Sequence, residues 1–356
     1  MKFLIFCQNG IFSGGRYYIF FLACALVALG HSVKFVTDKK PSFINNFTSF
    51  PNFRRIEWHL DRKCSYEQKG YDFVISVPRK ASKPAQKYAS MHQVPLYAIM
   101  FETPNFTSLY RKGEDSYERF WKGYKEHLNY AKKIITISKE SKKYIVEWIK
   151  CDQNKVEIIN PCINDIEADK VKKCVVRDEI VVISRFLDFK RVDDVLEVIK
   201  KLGNKYKINY ITSFRDYYGT YNRVLNTAKN YKIPIQVYDN ISDKGKFEII
   251  KQSRLLIHPS SFEGFGIPPG EALYMNRPAI VYDLPVYKDF YGDKLIYVGY
   301  GNIRELTEAT KETLCKKNFV STYFKKKLKF SRFLQDVNKL FVPISKKDDG
   351  LTLEEF

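Results

Sequence analysis

Lys2-Phe3-Leu4-Ile5-Phe6-Cys7 is a short, unbroken apolar run closed by Gln8-Asn9-Gly10. A second such run, Ser32-Val33-Lys34-Phe35-Val36-Thr37, follows after a segment of helical length. A strand that is apolar on both faces must be buried on both, as parallel strands are, and a parallel partner needs a crossover, usually a helix. The Ser13-Gly14-Gly15-Arg16 turn, a helix from about Arg16 to Leu29 and a Gly30-His31 stop supply that crossover, so the chain opens with a βαβ unit. The apolar Tyr17–Leu29 stretch is too short to span a bilayer and is preceded by breaks unlike a leader's charged start. It reads as a buried helix.

The alternation continues. Phe73–Ser76, Leu96–Ile99 and Lys133–Ile137 read as strands, the last followed by a helix from about Lys139 to Trp148. After the polar stretch Asp165–Lys173 the pattern restarts at Ile180–Ile183 and recurs at Ile208–Ile211, Ile235–Val237, Arg254–Ile257 and Ala279–Tyr282. Helical segments fall near Val192–Leu202, Tyr221–Tyr231 and Lys244–Gln252. The reading is an α/β chain with two Rossmann-like, doubly wound domains facing a central cleft, over residues 1–165 and 174–320. At 356 residues and 45% hydrophobic content the chain is long and apolar enough for two such cores.

The densest chemistry lies at Ser260-Ser261-Phe262-Glu263-Gly264-Phe265-Gly266-Ile267-Pro268-Pro269-Gly270-Glu271-Ala272. Proline is tolerated in a helix's first turn, so a helix is expected to start at Pro268 or Pro269 behind a glycine loop. Its unpaired amides and dipole favour an anion such as phosphate. Glu263 lies before that helix and Glu271 is expected inside its first turn; both suit sugar or ribose hydroxyls. A second cluster, Ser184-Arg185-Phe186-Leu187-Asp188-Phe189-Lys190-Arg191, leaves the end of a strand. Arginine clamps phosphate oxygens in pairs and lysine adds a point charge, which suits a departing diphosphate. Gly10, Gly14 and Gly15 after the first strand permit positive φ and close approach of the backbone. They do not spell G-x-G-x-x-G, so a nicotinamide cofactor is not supported. Glu102, in Phe101-Glu102-Thr103-Pro104, is a candidate acceptor-side base or an ordinary structural carboxylate.

Together these residues resemble the retaining glycosyltransferases of family 4, whose signature is two glutamates separated by seven residues around E-G-F-G and E-A, as at Glu263 to Ala272. The resemblance implies the GT-B fold and transfer of a hexose-like sugar from a nucleotide-diphosphate donor to a glycan, lipid-linked or small-molecule acceptor, with retention of configuration. It implies that Arg185 and Lys190 hold the donor diphosphate, with Gly14 and Gly15 near the phosphates. It places Glu263 on the donor sugar and Glu271 on the ribose, with the Gly264-Phe265-Gly266 backbone, Ile267 and the helix after them aiding Arg185 and Lys190 at the donor diphosphate. The chain departs from the family pattern at Glu102, where many relatives place a histidine nearby. Ile137–Ser141, Asn160-Pro161 and Pro278–Val281 with Leu284-Pro285 are further points of likeness. Family members end in helices that cross back onto the first domain, the role expected of residues 321–345, with a tail at 346–356.

No Asp-x-Asp occurs and the seven cysteines form no C-x-x-C pair, so no metal site, cofactor or disulfide framework is expected beyond the sugar nucleotide itself. A formal charge of +20 attracts polyanions in general: a diphosphate, an anionic membrane face met peripherally, or nucleic acid. No nucleic-acid-binding motif accompanies it and the basic residues are dispersed, so no nucleic acid partner is expected. A sugar-nucleotide epimerase of the same fold is the nearer alternative. The expected location is cytoplasmic, with a peripheral membrane contact left open by the basic segment Lys325–Arg332.

Overall fold

The computed structural model describes residues 1–8, 14–77, 81–107, 117–213, 219–316 and 324–341. The chain divides into two compact units, residues 1–162 together with the segment from Lys329 onward, and Ile163–Leu328. Gly10 of the first glycine loop, residues 321–323 and the segment beyond residue 341 lie outside the described residues.

In the first unit β1 (Lys2–Phe6), β2 (Ser32–Thr37), β3 (Glu57–Leu60), β4 (Phe73–Ser76), β5 (Leu96–Ile99), β6 (Lys133–Thr136) and β7 (Val156–Ile158) form one sheet in the order β3-β2-β1-β4-β5-β6-β7. Every pairing is parallel. Its helices are α1 (Gly14–Ala28), α2 (Ser82–His92), α3 (Pro104–Thr107), α4 (Tyr117–Tyr130) and α5 (Lys139–Ile149). The central strands are unbroken apolar runs because helices cover both faces of the sheet. The edge strand β3 is half exposed and carries Glu-Trp-His-Leu, a pattern too mixed to announce itself in sequence.

The second unit opens with α6 (Asp165–Asp169) inside the polar stretch that had read as a connector. That polarity is a helix start: the Asn164 side chain accepts from the Glu167 amide at 3.3 Å, and Asp165 and Glu167 fill the first turn. Strands β8 (Glu179–Ile183), β9 (Lys207–Thr212), β10 (Ile235–Asp239), β11 (Leu255–His258), β12 (Ala279–Tyr282) and β13 (Ile296–Val298) pair in parallel in the order β10-β9-β8-β11-β12-β13. The helices are α7 (Val192–Lys201), α8 (Thr220–Asn230), α9 (Asp243–Gln252), α10 (Ile267–Tyr274), α11 (Pro285–Tyr291), α12 (Ile303–Cys315) and α13 (Lys325–Leu328). In each sheet the order reverses beside the first strand, between β1 and β4 and between β8 and β11. Loops leaving the carboxyl ends of those strands part there and leave room for a ligand.

The chain finishes the first unit with α14 (Phe330–Phe341). Phe330, Phe333, Val337 and Phe341 recur at helical spacing and all are buried. Phe333 meets Tyr18 edge-on at 5.5 Å and Phe21 at 6.3 Å, while Phe341 meets Phe3 at 4.9 Å. This accounts for a helix α1 that is apolar all round. On its other side Phe20 stacks on Phe35 of β2 at 5.0 Å, so α1 is sandwiched and has no solvent face over Tyr17–Val27. Arg332 is not part of a solvated basic face: its guanidinium donates to the carbonyls of Asn160 and Pro161, each at 2.7 Å. Among the described residues no helix is long and apolar enough to cross a membrane.

Candidate active site

At the carboxyl end of β8 the backbone is fixed by an aromatic plinth. Phe186 lies flat on Tyr210 at 4.2 Å, and the Tyr210 hydroxyl is 2.6 Å from Ser184 Oγ. Half-buried Arg185 therefore sits between two anchored neighbours. The turn that follows, Asp188–Lys190, ends on Arg191 with a left-handed φ of 53°. Arg191 bonds Asp194 through two nitrogens at 2.8 and 3.0 Å, and Tyr282 donates to the same carboxylate at 2.5 Å. Such a bidentate fork holds a strained residue in place.

The loop after β11 is laced to this turn. The amide and hydroxyl of Ser261 both donate to the Phe189 carbonyl, at 2.8 and 3.0 Å. The lacing brings Lys190 Nζ to 2.5 Å from Glu263 Oε1, across the strand-order reversal. His258, the last residue of β11 and 2% exposed, places Nε2 2.7 Å from that same oxygen, with Ser260 Oγ 3.2 Å from the ring nitrogen. Burial opposes ionisation of Glu263, but Lys190 and His258 outweigh it and hold the carboxyl well below the usual carboxylate range. The residue is thus a fixed anion. Its Oε1 is saturated by the protein, leaving Oε2 outside this network.

Gly264-Phe265-Gly266 then turns into α10. Gly266 has a φ of +80°, and a Cβ there would lie 2.3 Å from Tyr287 Cε1; both facts require glycine. Tyr291 Oη donates to the Gly266 carbonyl at 2.6 Å, so two tyrosines of α11 brace the loop from below. Helix α10 starts at Ile267, one residue before the expected proline, because Gly266 itself serves as the N-cap with Pro268 and Pro269 behind it. Glu271 consequently falls in the second turn, not the first. It is 5% exposed, and its Oε1 lies 2.6 Å from Lys246 Nζ on α9. Lys246 also reaches Asp243 Oδ1 at 2.9 Å, and Asp243 Oδ2 accepts from Asn164 Nδ2 at 2.8 Å. Burial raises the Glu271 carboxyl, Lys246 counters it, and the Asp243 charge adds to the rise. Burial also opposes charge on Lys246, yet the two carboxylates overcome it and push its ammonium above the ordinary lysine value.

The other predicted residues lie in the first unit. Gly14 and Gly15 begin α1 after β1, and neither has the positive φ expected of a loop glycine, because both are already helical. Gly15 packs tightly against Phe101, where a Cβ would lie 2.6 Å from Cε2. Glu102 is exposed in the segment between β5 and α3. Next to these strand ends is a histidine that no motif flagged. His127 on α4 is fully buried with Nε2 2.5 Å from Ser76 Oγ at the end of β4, and burial pushes its pKa down to about 4. Lys246, equally unsignalled in sequence, is one of 60 Lys+Arg residues, and only the pairing of α9 with α10 singles it out.

Residues 165–323 match the family model of the glycosyl transferases group 1. The chain is 23% identical over 168 residues to the O-antigen chain mannosyltransferase RfbU of Salmonella typhimurium, covering 47% of each protein. It is 36% identical over 75 residues to the serotype-specific mannosyltransferase WbdA of Escherichia coli, covering 21% of this chain and 9% of that one. The chain therefore spans about half or less of the length of the curated relatives it matches. Among solved structures, HepE from Anabaena, in complex with UDP and glucose, superposes with a TM-score of 0.73 at 10% identity, over 96% of this chain and 99% of that one. At that identity the likeness is one of fold: two parallel-sheet Rossmann-like units of the GT-B type.

Proposed function

We propose that the chain is a glycosyltransferase that moves a hexose-like sugar from a nucleotide diphosphate to a glycan, lipid-linked or small-molecule acceptor, with retention of configuration. The observation that carries the reading is the meeting of Lys190 and Glu263 at the carboxyl ends of β8 and β11, inside the region matching group 1 glycosyl transferases. The mannosyltransferase names of the relatives and the UDP–glucose complex of the fold neighbour support a hexosyl nucleotide as donor.

In this reading the bond between the anomeric carbon and the diphosphate breaks with its electron pair going to the diphosphate oxygen. Arg185 and Lys190 receive that developing charge, which is where preorganised cations accelerate most. Lys190 has three N–H donors, so it holds Glu263 with one and offers others to phosphate. The free Oε2 of Glu263 accepts from donor-sugar hydroxyls, and Glu271 from the ribose. The acceptor hydroxyl adds to the same face of the sugar and gives up its proton, for which Glu102 is the candidate base. Gly14 and Gly15 lie near the phosphates and the sugar, and the Gly264–Ile267 backbone assists at the diphosphate. The diphosphate charge is met by side chains and the α10 amino end, with no metal required.

The deciding experiment is thermal-shift and turnover screening against UDP-, GDP- and ADP-hexoses, followed by Arg185→Ala with the donor found. Removing one preorganised cation is expected to lower kcat by about 10²–10³-fold. Unchanged turnover in R185A, or donor consumed without acceptor to give an isomerised sugar, would overturn the proposal.

A further inference from the structure

Helix α9 contributes a largely enclosed ammonium, that of Lys246, to the buried carboxylate pair Glu271 and Asp243. Lys246 is 2.6 Å from Glu271 Oε1 and 2.9 Å from Asp243 Oδ1, with side-chain exposures of 15% for the lysine and 6% and 5% for the acids. Asp243 is in turn held by Asn164 at 2.8 Å, so the lysine is pinned from the amino ends of both α6 and α9. A cation this enclosed is costly unless its partners are fixed, and here Asp243 is held by Asn164 and Glu271 is buried on α10. The geometry is also one-sided: the ammonium takes one oxygen of Glu271 and leaves the other outside the pair.

A carboxylate gripped at one oxygen presents its second oxygen in a defined direction, which suits a vicinal diol better than a freely rotating side chain does. Without the lysine, two buried carboxyls would share one pocket, and one of them would take up a proton and lose acceptor capacity. We propose that Lys246 is a positioning residue for the nucleoside half of the donor: its ammonium clamps Glu271 Oε1 and so presents Oε2 to the two ribose hydroxyls. This rests on the reading of Glu271 as the ribose carboxylate.

The test uses the full chain and isothermal titration with UDP, GDP and ADP, taking forward whichever the wild type binds most tightly. Lys246→Met is expected to weaken that nucleotide about tenfold, the worth of a charge-assisted hydrogen bond. In a Glu271→Gln background the same substitution is expected to add less than about twofold, since coupled residues are not additive. With the 2′,3′-dideoxy form of the nucleotide, wild type and K246M are expected to bind alike, which a merely structural lysine would not produce. If K246M does not fold, Lys246→Gln, which keeps a donor and loses the charge, is read in the same way. K246M binding like wild type, or its loss persisting in E271Q or with the dideoxy nucleotide, overturns the role of Lys246 alone. E271Q binding like wild type overturns the ribose reading itself, and the role of Lys246 with it.

Discussion

Glu263 is the residue on which the site's electrostatics turn. Its carboxyl titrates below the ordinary value of 4.5, so it contributes stability that is fully present above that pH and lost as pH falls through the lowered value. Glu263→Gln is therefore expected to cost about 1–3 kcal/mol at pH 7, because an amide oxygen replaces the charged acceptor shared by Lys190 and His258. The deficit relative to wild type should shrink as the solution is taken below pH 4.5. Urea unfolding at pH 7 and pH 3.5 measures both numbers, and a deficit that grows with acid would mean the carboxyl is protonated in the folded state. Gly266 permits a second expectation. Gly266→Ala meets a left-handed φ and the Tyr287 ring together, so a loss of about 1–3 kcal/mol is expected in the same assay, with Tyr287→Leu recovering only the steric share. At this scale the sequence was partly legible. The Glu263, Gly266 and Lys190 positions stand in contiguous motifs, whereas His258 and Lys246 acquire meaning only through register between elements, which periodicity does not encode. The placement of Glu271 in the first turn failed because α10 starts at Ile267, ahead of both prolines, behind a glycine N-cap.

Among the elements, α1 and α14 make the clearest pair. The run Tyr17–Leu29 was legible as a buried helix, but the reason for its apolarity on every side was not, since the covering residues arrive some three hundred positions later. Phe333 is fully buried between Tyr18, Phe21 and Phe330, so Phe333→Ala is expected to destabilise by about 3–5 kcal/mol in equilibrium urea unfolding. Arg332→Ala strips the donors from the Asn160 and Pro161 carbonyls and is expected to cost about 1–3 kcal/mol, with a matching gain in amide exchange around residues 159–162. A neutral outcome would mean those carbonyls find water at no cost. The central strands could be read directly because burial on both faces forces unbroken apolar runs. The edge strands β3, β7 and β13 could not, being three or four residues long and only partly covered.

For the whole molecule, the doubled strand order, reversing beside β1 and again beside β8, is what the repeated alternation of the sequence encodes. Binding of a nucleoside diphosphate to the folded chain is expected to raise its unfolding free energy by about 2.7 kcal/mol at a hundredfold excess over Kd. At a fixed ligand concentration the gain should fall as salt rises from 50 to 500 mM, because screening weakens binding of a diphosphate to a protein of formal charge +20. A gain insensitive to both ligand and salt would remove the case for an anionic donor. The return of α14 to the first unit also has a temporal meaning. The aromatic flank of α1 leaves the ribosome early, yet Phe330 and Phe333 follow only after all of Ile163–Leu328 has been translated. At about 5–20 residues per second, the nascent amino-terminal half waits on the order of ten to thirty seconds with an oily stripe uncovered. Throughout that interval α1 lacks the aromatic cover that Phe330 and Phe333 later supply.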